Sequence, residues 1–258
     1  MKKHIGIIGG GAAGMMAAVT AARKGTKVTI LERNDRIGKK ILQTGNGKCN
    51  LGNRNLTVEC YHGGDAAWIK QALERFGTED TVCFFQKIGL LIKEKNGYLY
   101  PVSEQAASVL DVLRYELQTL GVEIIYGCKV QKVERTLSGK LVVNDGDREW
   151  QFDAVILTCG GKAAPGTGSD GSGWKIAKKA GHTCIAPVPA LVQLRCLETD
   201  LLKGIAGVRA DSRVRILCDG RETDVERGEL QLTEYGISGI PTVSYTHLRA
   251  HETDSYLV

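Results

Sequence analysis

Residues 9–14 read Gly-Gly-Gly-Ala-Ala-Gly, a G-x-G-x-x-G pattern with Gly9, Gly11 and Gly14 at its three glycine positions. The first glycine of such a pattern permits a tight turn. The second lets the backbone approach a pyrophosphate, and the third lets a helix pack closely on a strand. Ala12 and Ala13 complete the turn before a helical run over residues 15–24, which leaves the phosphates at a helix N-terminus. Glu32 closes the strand-like run 27–31. A carboxylate there accepts hydrogen bonds from both ribose hydroxyls and repels a 2′-phosphate, so the implied ligand is FAD or NAD rather than NADP. A glycine-rich helix start can also be mere packing. What favours the ligand is the register of strand, turn, helix, second strand and terminal acid.

A second polar stretch, residues 36–50, holds Lys39, Lys40 and the run Thr44-Gly45-Asn46-Gly47-Lys48-Cys49-Asn50. A basic loop of this kind is usually a solvated surface. The alternative is a flexible cradle of backbone donors with Lys48, suited to an anionic pyrophosphate or a reduced flavin ring.

Taken together, Gly9-Gly10-Gly11-Ala12-Ala13-Gly14, Gly38-Lys39-Lys40 and Gly45-Asn46-Gly47-Lys48-Cys49-Asn50 resemble the BaiN-like, or aminoacetone-oxidase-like, family of NAD(P)/FAD-dependent oxidoreductases. Asn46 stands where that family usually has Gly, and Lys48 where it usually has Arg, whose planar fork a Lys does not reproduce. The resemblance implies bound FAD, NADH or NADPH as a possible electron donor, and a small organic substrate. It extends the cofactor site to Arg33, Val130, Thr158, Gly160 and Gly161. It makes Lys48 the candidate catalytic residue, stabilising charge on a reduced flavin, and Cys49 a small buried thiol near the ring. A non-catalytic dinucleotide-binding fragment is the alternative.

The elements that must position these residues are legible from periodicity. Residues 5–8 and 27–31 read as buried strands, 66–76 and 106–120 as helices, and 90–101 as a hairpin turning at Asn96-Gly97. A strand at 122–126 precedes three short alternating runs, 129–134, 141–144 and 148–152, and then a buried strand over 154–157. A parallel strand followed by a small antiparallel meander resembles the glutathione-reductase-type FAD domain. Gly166-Thr-Gly-Ser-Asp-Gly171 repeats the glycine spacing without the flanking strands, and reads either as a structural turn or as part of the flavin domain's lining, before a helix over 174–180. The expected fold class is therefore α/β: a glutathione-reductase-type, Rossmann-like FAD-binding domain with a β-meander over 1–188, then a partial β-rich, barrel-like domain over 189–243. Pro187 and Pro189 mark the boundary, and a hairpin is expected at Asp219-Gly220. Residues 244–258 match nothing in the family and read as a non-native tail. The zinc reading of its His247 and His251 lacks a third ligand, so no metal is expected. Family members run past this length, and the missing strand, loop and helix imply an exposed, weakly held FAD.

Composition bounds the rest. Of 258 residues, 43% are hydrophobic and 24% charged, which fits a globular chain without a membrane span. Thirty-two glycines against five prolines point to tight turns and close backbone approaches. The net charge is 34 − 29 = +5 and is scattered along the sequence, so no nucleic-acid partner is expected. Eight cysteines without C-x-x-C spacing read as reduced thiols of a cytoplasmic protein without a targeting peptide, of undetermined oligomeric state.

Overall fold

The computed structural model of the chain describes residues 2–61, 65–187, 194–197, 199–239 and 241–242, apart from the side chains of Cys218 and Asp224. The backbone divides into two units, residues 1–57 with 68–185, and 58–67 with 186–258. The second unit thus takes in a short segment, 58–67, that a first domain running from 1 to 188 did not set apart.

In the first unit β1 (His4–Ile8) leads into α1 (Ala12–Arg23) and β2 (Lys27–Leu31), followed by the short β3 (Gly52–Asn53). Helices α2 (Ala66–Arg75) and α3 (Thr78–Lys87) precede the hairpin of β4 (Ile92–Lys95) and β5 (Tyr98–Pro101). Then come α4 (Ala106–Thr119), β6 (Glu123–Ile125), β7 (Lys132–Arg135), β8 (Leu141–Asn144), β9 (Glu149–Phe152), β10 (Ala154–Leu157) and α5 (Ser172–Lys179).

The central sheet has the order β10-β1-β2-β6 and every pairing in it is parallel, the Rossmann arrangement. Strand period two decides what each face buries. Ile7 and Ile30 point into a core with Met15, Val19, Leu113 and Leu117 of α1 and α4. Their neighbours Ile8 and Leu31 point the other way, into a smaller core with Val143 and Phe152 of the β7-β8-β9 meander. Gly6 is required on that second face, because a Cβ there would lie 2.5 Å from the Phe152 ring. The expected meander and parallel strands are therefore present. The Asn96-Gly97 turn is also present, with both residues at positive φ.

Three differences from the sequence reading have local causes. Helix α1 starts at Ala12 rather than 15, so half of the glycine motif is already helix. Helix α3 escapes the periodicity because Val82 and Phe85 are its only buried residues. Strand β3 is two residues long and pairs with β5, too short to carry a pattern.

The second unit contains β11 (Leu194–Arg195), α6 (Asp200–Lys203), β12 (Arg209–Cys218), β13 (Arg221–Thr233) and β14 (Gly236–Gly239). The strands form an antiparallel sheet in the order β11-β14-β13-β12, with the β12–β13 hairpin turning at Asp219-Gly220. Pro189, much of the start of the expected β-rich domain, and the tail 244–258 with His247 and His251 lie outside the described residues. Among the described residues no helix is long and apolar enough to cross a membrane.

Candidate functional site

The carboxyl ends of β1, β2 and β10 open onto a cavity of about 350 Å³. Its floor is the glycine turn. Gly9 adopts φ +106°, and its N–H donates to the Leu31 carbonyl at 2.9 Å, which seats the turn on the sheet. Gly14 faces backward, where a Cβ would lie 1.9 Å from the Gly9 carbonyl oxygen. Gly11 is the opposite case: a Cβ built there meets nothing within 4 Å. The fold itself does not need a glycine at Gly11, so the open space beside it is room for a ligand. Exposed Ala12 and Ala13 form the first turn of α1, which no side chain caps. The first amides of a helix have no acceptor within it, so they are free to bind an anion.

Glu32 stands at the end of β2, 6% exposed and on the cavity wall. Its Oε2 accepts from the Gly10 N–H at 2.7 Å, and its Oε1 from the Asn34 N–H at 2.8 Å and the Asn34 side-chain amide at 2.7 Å. A carboxylate offers about four lone-pair positions, so one direction remains for a ribose hydroxyl. Glu32 therefore builds the turn and also faces the ligand space.

The roof comes from the segment after β10. The Thr158 hydroxyl donates to the carbonyls of Ile8 at 3.0 Å and Gly9 at 2.8 Å, locking β10 to the turn. The Gly161 carbonyl accepts from the Gly171 N–H at 2.9 Å and the Ser169 hydroxyl at 3.2 Å, folding residues 162–171 back over the cavity. Two tethers hold that flap. Arg33 Nη1 donates to Asp170 Oδ2 at 2.5 Å, and the Asn34 amide donates to the Thr167 carbonyl at 3.2 Å. The guanidinium and the Ser172 hydroxyl hold the Asp170 carboxyl far below the usual carboxylate range. Two thiols line the same wall: burial pushes Cys128 up to about 12 and Cys159 up to about 11.

Of the residues singled out from sequence, Gly9, Gly11, Ala12, Ala13, Glu32, Arg33, Lys39, Lys40, Thr44, Val130, Thr158 and Gly160 all line the cavity. Gly14, packed against the Gly9 carbonyl, and Gly161 are not among its lining residues. Lys39 is paired with Asp35 at 2.8 Å, whereas Lys40 has no carboxylate within ion-pair distance among the described residues.

The rest of the 44–50 run is not among the residues lining this cavity. Gly45, Asn46, Gly47 and Cys49 all have positive φ, which coils the backbone after Thr44. Lys48, the candidate catalytic residue, turns outward to pair with Glu104 at 3.1 Å. Cys49 is buried in the core against α4, and its thiol is pushed up by that burial. Asn50 is exposed and caps a local turn, accepting from the Gly52 N–H at 3.0 Å. Asn46, at φ +56°, is a residue tolerant of the left-handed conformation that a glycine would otherwise supply.

The sequence reading missed Asn34, Cys128, Cys159 and Ile176, and left Thr167, Gly168 and Ser169 undecided between turn and lining. Asn34 follows the strand-ending acid directly, a position close enough to the motif to have been included. The others are gathered only by the fold.

A family model described as the HI0933-like protein Rossmann domain matches residues 3–247. Among curated relatives, a 3-dehydro-bile acid delta(4,6)-reductase of Clostridium scindens is 47% identical over 240 residues, covering 92% of this chain and 58% of that protein. A ribosomal RNA dihydrouridine synthase of Haemophilus influenzae is 32% identical over 238 residues, covering 90% of this chain and 58% of that protein. The chain thus spans somewhat more than half the length of these relatives. Among solved structures, an open conformation of a flavocytochrome c3 fumarate reductase matches with a TM-score of 0.51 at 16% identity, over 81% of this chain and 47% of that one, a likeness of fold alone.

Proposed function

The chain belongs to the HI0933-like Rossmann family, and from that premise we propose that it is an FAD-dependent oxidoreductase reducing a carbon–carbon double bond conjugated to a carbonyl in a small organic molecule. The observation that carries the cofactor is the empty space at Gly11, bounded by the α1 amides on one side and the Glu32 carboxylate on the other. The residues present fit an adenine dinucleotide with an unmodified ribose. Backbone amides of Gly11, Ala12 and Ala13 would hold the pyrophosphate, Glu32 the ribose, and the ammonium of Lys40 would add positive charge at the wall. The flap from Gly161 to Gly171 would exclude water from the nucleotide.

FAD, when bound, would supply the redox chemistry, and the protein position and electrostatics. The bond class is supported by the two relatives together. A delta(4,6)-reductase saturates a diene conjugated to a ketone, and forming dihydrouridine saturates the pyrimidine double bond conjugated to a carbonyl. The net change adds two electrons and two protons across the double bond. NADH or NADPH supplies the electron pair with one hydrogen and becomes the oxidised nucleotide, and solvent supplies the second proton. The higher identity of the bile-acid enzyme favours a small lipophilic substrate. Under the same reading the protein acts in the cytoplasm, where reduced nicotinamide cofactors are available.

The test is anaerobic oxidation of NADH or NADPH by the FAD-loaded chain, with and without a 3-keto-4,6-diene steroid. Nucleotide oxidation that depends on the steroid and yields a saturated product supports the reading. No steroid-dependent oxidation under these conditions, with nucleotide oxidised only once molecular oxygen is admitted and the steroid unchanged, would overturn it.

A further inference from the structure

Strand β12 stands at the end of the second unit's sheet, and among the described residues β13 is the only strand paired with it. At ten residues, its other edge is long enough to template a further strand. The Leu232 N–H donates to the Val208 carbonyl at 2.9 Å, so in the ladder that continues from there the even-numbered residues of β12 bond to β13 as far as the register shift after Ile216. The N–H and C=O groups of Arg209, Asp211, Arg213 and Arg215 therefore point to the open edge. The side chains of these four residues share one exposed face. Across the hairpin Asp211 stands directly opposite Glu229, and Arg213 directly opposite Arg227. Like charges in such positions repel, which sets this stretch apart from an ordinary charged strand. Arg209 draws Glu229 to itself at 3.2 Å and Arg215 pairs with Glu222 at 3.7 Å, whereas Asp211, Arg213 and Arg227 have no ion-pair partner among the described residues.

We propose that this edge takes a second copy of the chain, β12 pairing antiparallel with β12 of the other copy across a two-fold axis at Ser212. In that register Asp211 meets Arg213 of the other copy, and by symmetry Arg213 meets its Asp211. Each of these charges then has an opposite charge beside it, and the outward backbone groups of the two strands bond to one another. On the reverse face Ala210 meets Val214 and Ser212 meets itself, so small and apolar side chains adjoin. The neighbouring registers lack this match: a two-fold at residue 211 sets Asp211 on itself, and one at residue 213 sets Arg213 on itself. A foreign strand would have to bring the same alternation of acid and base, which a second copy carries by identity. The assignment rests on the second unit alone and not on the flavin reading.

The experiment is sedimentation of the full chain over a range of concentrations, where a monomer–dimer equilibrium is expected. Asp211→Arg and Arg213→Asp should each weaken the dimer by about 10-fold or more, because two attractions become two repulsions. Each substitution also places opposite charges across the β12–β13 hairpin, so loss of the dimer is not loss of the fold. An equimolar mixture of the two variants should dimerise again, since an edge bearing only Arg at these positions then meets one bearing only Asp. Ser212→Cys fixes the register independently. The Cα atoms of a directly opposed, non-hydrogen-bonded pair lie about 4.5 Å apart, within disulfide reach, so mild oxidation should join the two copies at residue 212 in a peptide map. A monomer at every concentration, a dimer indifferent to D211R and R213D, a mixture that stays monomeric, or a Ser212→Cys variant that forms no bridge between copies would each overturn the proposal.

Discussion

Gly11 and Glu32 are the residues on which the site turns, and they fail differently when changed. A Cβ at Gly11 meets nothing within 4 Å, so Gly11→Val should leave the helical circular dichroism and melting temperature nearly unchanged while abolishing FAD binding. A variant that keeps full flavin would show the turn to be packing only. Glu32→Ala removes the ribose acceptor and also the partner of the Gly10 and Asn34 amides. FAD affinity should therefore fall by about 1–3 kcal/mol, and thermal stability should fall with it, since buried donors lose their acceptor. Calorimetric titration and a melt of the apo protein separate the two effects; unchanged stability would mean the carboxylate serves the ligand alone. The thiols make a third case. Burial raises Cys128 and Cys159, so both stay protonated at neutral pH and gain reactivity only as the pH rises toward about 12 and about 11 respectively. Alkylation at mildly alkaline pH, followed by peptide mass spectrometry, should label exposed Cys60 and Cys83 well before them. Faster labelling of Cys159 than of Cys83 would contradict the burial argument. Glycine positions were readable from sequence because their spacing carries the mechanism. The direction of the Lys48 side chain was not, because it depends on the positive-φ backbone of Gly45, Asn46, Gly47 and Cys49 and on Glu104, fifty-six positions away.

At the scale of elements, the parallel sheet and the meander were legible because each strand alternates or runs apolar against a defined face. The flap was not. Residues 162–171 contain no periodicity, and only the Arg33–Asp170 and Asn34–Thr167 contacts turn them into a roof. Asp170 is the testable member. Its depressed folded-state pKa means that its contribution is fully present above the ordinary carboxylate range and is lost only as the pH falls below about 4. The ion pair is about one-third exposed, so Asp170→Asn should cost about 1 kcal/mol or less in global stability at neutral pH. It should nevertheless speed FAD release, because the pair closes the ribose end. Stopped-flow dilution of the FAD-loaded variant measures this, and an unchanged release rate would remove the flap from the account of cofactor retention.

For the whole molecule, the division into two units places the entire dinucleotide cavity in the first, with the nucleotide-binding elements arranged as a Rossmann fold shared by the HI0933-like family. The second unit's long hairpin was legible from its Asp219-Gly220 turn, but its composition names no ligand. The substrate reading thus rests on relatives, and the cofactor reading on geometry. Equilibrium titration of the apo chain with FAD, followed by flavin absorbance, in parallel for wild type and Gly11→Val, tests that geometry most directly. The account predicts saturable binding of one FAD per chain by the wild type and none by the variant at unchanged helix content. Equal binding by both, or saturable binding by neither, would contradict it.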